Sequence, residues 1–127
     1  MSKHKVVLFE MPSADMKKSK EFYESALGWT INLMEDNEGG MAVTAGSDDN
    51  GMATEVSAIN GGFYKRESKS DHPSIVIETE SIDETAKAIE KAGGKITTAK
   101  HAIGDWGFMA DFTDPEGNEM ALWEKKK

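Results

Sequence analysis

The order of hydrophobic and polar positions predicts a strand, a helix and three further strands in the first half of the chain. Both faces of Lys5–Met11 are largely apolar, which is typical of a central strand, and Pro12 is expected to end it. A 3.6-residue apolar period then predicts a helix with Asp15 as its N-cap and Gly28 after its last turn. The later strands are predicted over Trp29–Met34, Met41–Ala45 and, more weakly, Glu55–Ile59, with an interruption at Gly61–Gly62 and a continuation at Phe63–Tyr64.

The second half repeats this succession. Ser74–Thr79 alternates like a strand, and Ser81 with Glu84 forms a capping box for a helix that runs to Ala92. Strands are then predicted over Lys95–Ala99, Phe108–Thr113 and Asn118–Glu124, with a loop over Lys100–Asp105. Asp114–Pro115–Glu116–Gly117 has turn chemistry, and Asn118 is expected to take the left-handed conformation behind it.

The repeat predicts an α+β fold of two βαβββ modules in tandem. Module 1 covers about 4–65 and module 2 about 72–125, and Lys65–Asp71 links them. One module could not bury both faces of its own sheet, so we expect the two to pack as a single domain over 1–127. A ferredoxin-like βαββαβ fold is the alternative, but it leaves one strand of each half unexplained.

Composition narrows the classes of function. The 127 residues include 15 Lys and Arg against 23 Asp and Glu, a net charge of −8, which argues against nucleic acid and anionic membranes as partners. No cysteine is present, which excludes thiolate nucleophiles and Cys-ligated metals and fits a cytoplasmic protein. The apolar run Val6–Phe9 is too short for a signal peptide or a membrane span.

Several motifs resemble one known superfamily. They are Phe9–Glu10–Met11–Pro12 with Asp15, Phe22–Trp29, Ser81–Ile82–Asp83, Ile89–Gly94 and Asp114–Asn118. Together and in this order they are similar to the vicinal oxygen chelate (VOC) superfamily, which includes glyoxalase I, bleomycin-resistance proteins and extradiol dioxygenases. The resemblance implies mixed sheets that curl around a cleft, and a homodimer.

The resemblance also implies positions for a divalent metal, whose ligands in this superfamily are His, Gln or Glu on inward strand faces. Those positions are Leu8, Ser74, Ala121 and, for the fourth, the pair Gly61–Gly62. Leucine and alanine cannot bind a dication, and one serine is a poor anchor. We therefore predict no cofactor and no usual metal site, with a metal held by other ligands as the open alternative.

Glu10 is the candidate catalytic residue. It lies two residues beyond Leu8 on the same strand face, where it would act as a general base or a ligand anchor. The alternative is a structural role, in which Glu10 pairs with a lysine or caps the first helix.

The remaining candidates would line a ligand site. They are Leu8, Phe63, Ser74, His101, Trp106, Met109, Ala121 and Trp123. His101, expected in a loop with Asp105, could bind metal or transfer protons, or be solvated. Trp123 shares a strand face with Ala121 and would offer a stacking surface, unless it packs in the core or a dimer interface.

The sequence thus favours a small-molecule-binding protein of the glyoxalase/bleomycin-resistance type that lacks the usual metal ligands. The net charge and the segment Ser47–Asp48–Asp49–Asn50, within a loop expected to be mobile, suit a cationic ligand. The alternative is a VOC enzyme, a lactoylglutathione-lyase-like lyase or isomerase with an atypical metal site or Glu10 as base. No specific feature favours a third possibility, a module that only binds a protein partner.

Overall fold

The structure is a computed structural model that describes residues 3–49 and 51–127. Its elements are β1 (Val6–Ser13), α1 (Met16–Leu27), β2 (Thr30–Leu33), β3 (Gly39–Val43), β4 (Asn60–Lys65), β5 (Ser74–Glu78), α2 (Ile82–Lys91), β6 (Lys95–Ile103), β7 (Gly107–Thr113) and β8 (Glu119–Lys125). This order is βαβββ twice over, so the predicted α+β class and the repeat are confirmed. Neither described helix is long and apolar enough to cross a bilayer.

The chain divides into two compact units. One comprises residues 8–73, and the other comprises residues 74–127 together with the segment that ends at Val7. From here on, module 1 means residues 8–73 and module 2 means the other unit, in place of the approximate bounds predicted from the sequence. Each module has its own hydrophobic core.

Module 1 has a mixed sheet in the order β2-β3-β4-β1, in which β1 and β4 are parallel and the other pairs antiparallel. Its core consists of Met16 from α1 and three sheet residues, Ile31, Ala42 and Phe63. The predicted helix ends are confirmed: the Asp15 carboxylate accepts the Lys18 N–H at 3.1 Å, and Gly28 is left-handed at φ 70°.

Module 2 repeats the arrangement with the order β5-β8-β7-β6, where β5 and β8 are parallel. Ile82 of α2 packs on Ala110, Phe112 and Leu122.

The capping box of α2 forms in part. Ser81 Oγ accepts the Glu84 N–H at 3.2 Å, as predicted, whereas the Ser81 N–H is donated to Thr79 Oγ1 at 3.2 Å. The hydroxyl of a residue just before the helix thus takes the place that the box gives to the glutamate side chain.

The prediction that Pro12 ends the first strand was wrong. β1 continues to Ser13, with Pro12 opposite Tyr64 in the parallel register. Proline removes only its own N–H, and pairing resumes beyond it, where Ser13 O accepts the Arg66 N–H at 3.0 Å.

The prediction of a weak strand over Glu55–Ile59 was also wrong. β4 begins at Asn60 and runs through Gly61–Gly62 without interruption. Gly61 is required because the ring of Phe9 occupies the position that a Cβ atom would take.

Two expectations near the C-terminus were wrong as well. β6 extends to Ile103 with two register shifts, so most of the predicted loop Lys100–Asp105 is strand. In the turn between β7 and β8, Gly117 and not Asn118 is left-handed, at φ 84°. Asp114 Oδ1 accepts the N–H groups of Glu116 and Asn118, both at 2.9 Å, so the aspartate side chain holds this turn.

Candidate functional site

Each module packs its helix on one face of its sheet and leaves the other face without a helix. We call the second the helix-free face of that module. In β1, Phe9 and Met11 pack against the core on the helix side. Since side chains alternate along a strand, Leu8 and Glu10 lie on the helix-free face of module 1.

Glu10 lies opposite Gly62 of β4, and Gly62 in turn lies opposite Met41 of β3. The Glu10 Oε1 atom is buried. Because Gly62 has no side chain, no β4 side chain stands between the Glu10 and Met41 positions on this face. Module 1 therefore places a carboxylate with one buried oxygen atom on its helix-free face.

Asn60, fully buried, anchors the acidic segment of module 1. Its Oδ1 accepts the N–H groups of Thr44 (2.8 Å) and Ala45 (3.1 Å), and its Nδ2 donates to Ser47 Oγ (2.7 Å) and to Gly51 O (3.1 Å). The segment predicted to be mobile thus carries hydrogen bonds that its composition did not indicate. Asn50, the last residue of the segment Ser47–Asp48–Asp49–Asn50, lies outside the described residues.

The helix-free face of module 2 has an apolar centre beside a carboxylate. Ala121 of β8 lies between Val76 of β5 and Asp111 of β7, and all three are paired in register. Trp123, two residues further along β8, lies opposite Met109. Val76, Ala121 and Trp123 are buried, so the aliphatic and aromatic side chains beside Asp111 expose little surface.

Other polar side chains border this centre. Glu78 of β5 is the parallel partner of Trp123, and Ser74 lies on the same face at the start of β5. On β6, Thr98 lies opposite Asp111 and His101 opposite Met109. Beside the apolar centre the face therefore carries the carboxylates of Glu78 and Asp111 and the imidazole of His101, and the two exposed ends of β8 add Glu119 and Lys125.

Trp123 has a buried donor without an acceptor. Its side chain is 7% exposed, and its Nε1 atom is buried with no hydrogen-bond partner among residues 3–49 and 51–127. The ring lies against Gly107, where an added Cβ atom would stand 2.8 Å from Cη2 and 3.0 Å from Cζ2.

Of the residues singled out from the sequence, the structure brings seven onto the two helix-free faces. Module 1 has Leu8 and Glu10, and module 2 has Ser74, His101, Met109, Ala121 and Trp123. His101 lies on a strand and not in the expected loop, with Nδ1 3.0 Å from Ala99 O.

Two candidates lie elsewhere. Phe63 is in the helix-side core of module 1, 5.5 Å from the ring of Tyr23. Trp106 is 66% exposed in the turn between β6 and β7.

Sequence reasoning missed Asp111 and Asn60. Asp111 could have been found from the alternation of β7, in which Phe108, Ala110 and Phe112 form the core face and Asp111 must lie on the other. Asn60 gave no comparable signal, because its partners come from a segment without periodicity.

The donor set does not fit a divalent metal. The positions that the family resemblance assigns to ligands hold Leu8, Ser74, Ala121 and the pair Gly61–Gly62, which offer a single hydroxyl. Across the described part of the chain, no three His, Cys, Asp or Glu side chains come together as a cluster that could hold a metal ion.

Three carboxyl groups have clearly lowered pKa values, and all serve local structure. The pKa of Glu24 is lowered first by the Ile31 N–H and then by Lys20, that of Asp71 first by the Glu67 N–H, and that of Asp114 first by the Asn118 side chain. None belongs to the helix-free faces, so these shifts reflect loops and turns held by carboxylates.

Comparison with known proteins gives a family match over nearly the whole chain. A family model described as the Glyoxalase/Bleomycin resistance protein/Dioxygenase superfamily matches residues 5–122. The anthracycline biosynthesis protein DnrV of Streptomyces peucetius is 29% identical over 125 residues, which cover 92% of this chain and 46% of DnrV.

Two further proteins are similar. A Mycobacterium tuberculosis protein with the provisional name glyoxylase CFP32 is 28% identical over 123 residues, 93% of this chain and 44% of that protein. This chain thus spans about half the length of these curated relatives. A variant of Streptomyces coelicolor methylmalonyl-CoA epimerase, solved with 2-nitronate-propionyl-CoA, has a TM-score of 0.68 at 15% identity and covers 99% of this chain and 100% of its own.

Proposed function

This chain belongs to the glyoxalase/bleomycin resistance protein/dioxygenase superfamily, and we propose that it binds a planar aromatic ligand carrying a positive charge. The observation that carries the proposal is the helix-free face of module 2, where Trp123 and Met109 adjoin the carboxylate of Asp111. Binding without the superfamily's usual metal is part of the proposal, because the ligand positions hold Leu8, Ser74 and Ala121.

The spacing on this face suits such a ligand. Asp111 and Trp123 are diagonal neighbours on adjacent antiparallel strands, which places their Cβ atoms about 7 Å apart. A fused-ring system that packs on the half-buried Met109 thioether, next to the edge of the buried indole, would hold a substituent ammonium group beside Asp111. Glu78, next to Trp123 on β5, adds a second negative charge.

Charge over the whole chain supports the same class of ligand. The net charge of −8 raises the local concentration of cations and disfavours anionic ligands. The relative named an anthracycline biosynthesis protein adds support, because an anthracycline is a fused aromatic ring system that carries an amino sugar.

The test uses daunorubicin, a cationic anthracycline, and its uncharged aglycone, with binding followed by fluorescence. We expect both to bind, and we expect Asp111→Asn to weaken daunorubicin about fivefold while leaving the aglycone unchanged. Asp105→Asn, in the exposed turn after β6, is the matched control. If neither compound binds the wild-type protein, the proposal is wrong.

The position of Glu10 supports a second candidate function, that of an enzyme that abstracts a proton from its substrate. Its buried Oε1 on the helix-free face of module 1 would be the base. Incorporation of solvent deuterium into methylmalonyl-CoA, followed by NMR, tests this reaction class for an acidic C–H next to a thioester. We expect wild type to exchange the proton and Glu10→Gln not to do so; no exchange by wild type would exclude this substrate.

We also propose that the protein is a homodimer and that it lies in the cytoplasm. The family resemblance supports the dimer, and the absence of cysteine fits a reducing compartment. Sedimentation at micromolar concentration should give twice the 13.9 kDa chain mass, and a monomer there would contradict the dimer.

A further inference from the structure

We propose that the indole N–H of Trp123 is a reserved hydrogen-bond donor for an uncharged carbonyl oxygen of the ligand. This inference rests on the proposed function and deepens it, because it selects planar aromatic ketones and quinones from among planar aromatic cations. It makes Trp123 a specificity-determining residue.

The first observation is the missing acceptor. The Nε1 atom of Trp123 is buried and makes no hydrogen bond to any residue of 3–49 or 51–127, although the side chain is only 7% exposed. A buried donor without an acceptor is unfavourable, since it has lost its bond to water and gained none in return. A ligand that supplies an acceptor removes this penalty, so the binding energy gained is larger than that of an ordinary surface hydrogen bond.

The second observation is that the ring has little freedom to turn away. Its Cζ2 and Cη2 atoms lie against Gly107, at a distance that only a glycine permits. Cζ2 and Nε1 are both bonded to Cε2, so the contact with Gly107 also defines where the N–H lies. Met109 flanks the same side chain from β7. The donor is therefore held in place before a ligand arrives.

The charges on this face select the type of acceptor. Glu78 is the β5 partner of Trp123, and Asp111 is its diagonal neighbour on β7. A carboxylate or phosphate oxygen bound to the indole would be repelled by both side chains. His101 lies opposite Met109, with its Nδ1 3.0 Å from Ala99 O. Glu119 and Lys125 lie on the same face at the two exposed ends of β8, where solvent screens their charges more than those of Glu78 and Asp111. An uncharged carbonyl oxygen gains the hydrogen bond without that repulsion.

The test compares two planar cations on wild type and Trp123→Phe. Daunorubicin carries quinone carbonyls, whereas proflavine has a protonated ring nitrogen at neutral pH and no carbonyl. Trp123→Phe keeps an aromatic ring but removes the N–H donor together with part of the indole. Because the lost ring area affects both compounds and the lost donor affects only the carbonyl-bearing one, we expect about tenfold weaker binding of daunorubicin relative to proflavine. Trp29→Phe, at the helix-side core of module 1, is the matched control and should change neither.

The outcomes separate the two proposals. A loss for daunorubicin no larger than the loss for proflavine would overturn the donor role while the proposed function stood. No binding of either compound to wild type would overturn both.

An NMR measurement keeps the inference testable if Trp123→Phe does not fold. In ¹⁵N-labelled wild type the three tryptophans give three indole N–H signals, and Trp29→Phe and Trp106→Phe identify the third by elimination. Daunorubicin should move the Trp123 signal downfield and slow its exchange with solvent. A Trp123 signal that stays in place while the ligand binds would contradict the proposal.

Discussion

Gly107 and Trp123 lie on adjacent strands so close together that the glycine leaves the space the indole fills. A Cβ atom at position 107 would stand 2.8 Å from Trp123 Cη2 and would also collide with the carbonyl oxygen of Glu124. Gly107 is thus required by contact with its neighbours, and the position of the Trp123 ring depends on it.

Gly107→Ala should therefore destabilise the protein by about 1–3 kcal/mol and displace the Trp123 ring. Urea unfolding followed by circular dichroism measures the first effect, and a red shift of tryptophan emission reports the second. Gly62→Ala is the matched control, since its Cβ would meet Gly40 O at 3.4 Å and Met41 Sδ at 4.0 Å, and it should change stability by about 0.5 kcal/mol or less. Equal stability of the two variants would contradict the close contact.

Asn60→Ala should cost about 2–4 kcal/mol, because it leaves the Thr44 and Ala45 N–H groups without their acceptor. Hydrogen exchange of the Ala45 amide should accelerate more than that of amides in α1. Asn32→Ala, at an exposed position of β2, is the control and should change little. A slow Ala45 amide in Asn60→Ala would show that the segment is held by other contacts.

Glu124→Ala should weaken the start of α2. Glu124 Oε1 accepts the Ile82 N–H at 2.7 Å, and its side chain is largely buried, so the loss should be about 1–2 kcal/mol. Glu116→Ala, in the exposed β7–β8 turn, serves as the control for removing one carboxylate. Thermal unfolding compares the two, and an equal effect would mean that the Ile82 bond contributes nothing.

Asp114 should make stability depend on pH in the acid range. Its pKa is lowered from the ordinary 3.8, first by the Asn118 side chain and then by backbone N–H groups. A lowered folded-state pKa stabilises the fold above the unfolded-state value, and this contribution is lost as pH falls through the folded-state value. Wild type should therefore exceed Asp114→Asn in stability at neutral pH, and the difference should shrink below pH 3.8.

NMR titration of the Asp114 carboxyl measures the pKa directly. A value at or above 3.8 would contradict the assignment of the Asn118 hydrogen bonds to the charged form.

Local features of the chain were sufficient to predict most of the architecture. Helix periodicity, the N-caps Asp15 and Ser81, and the left-handed Gly28 depend on residues within one or two turns, so the pattern of the sequence contains them. The same holds for the alternation that puts Glu10 beside Leu8 and Trp123 beside Ala121 on their strands.

The errors and omissions share one cause, which is contact between residues distant in sequence. The Phe9 ring occupies the space of a side chain at position 61, which is why β4 has Gly61 there. Pairing with β7 extends β6 to Ile103.

The sequence by itself determined the paired βαβββ modules and the residue types at the metal positions, because both depend on local periodicity and on identity at one position. Only the tertiary structure decided which side chains share a face, since strand register brings Asp111 of β7 beside Ala121 of β8. It also decided that the Trp123 N–H is buried without an acceptor, because this depends on every described residue around the ring.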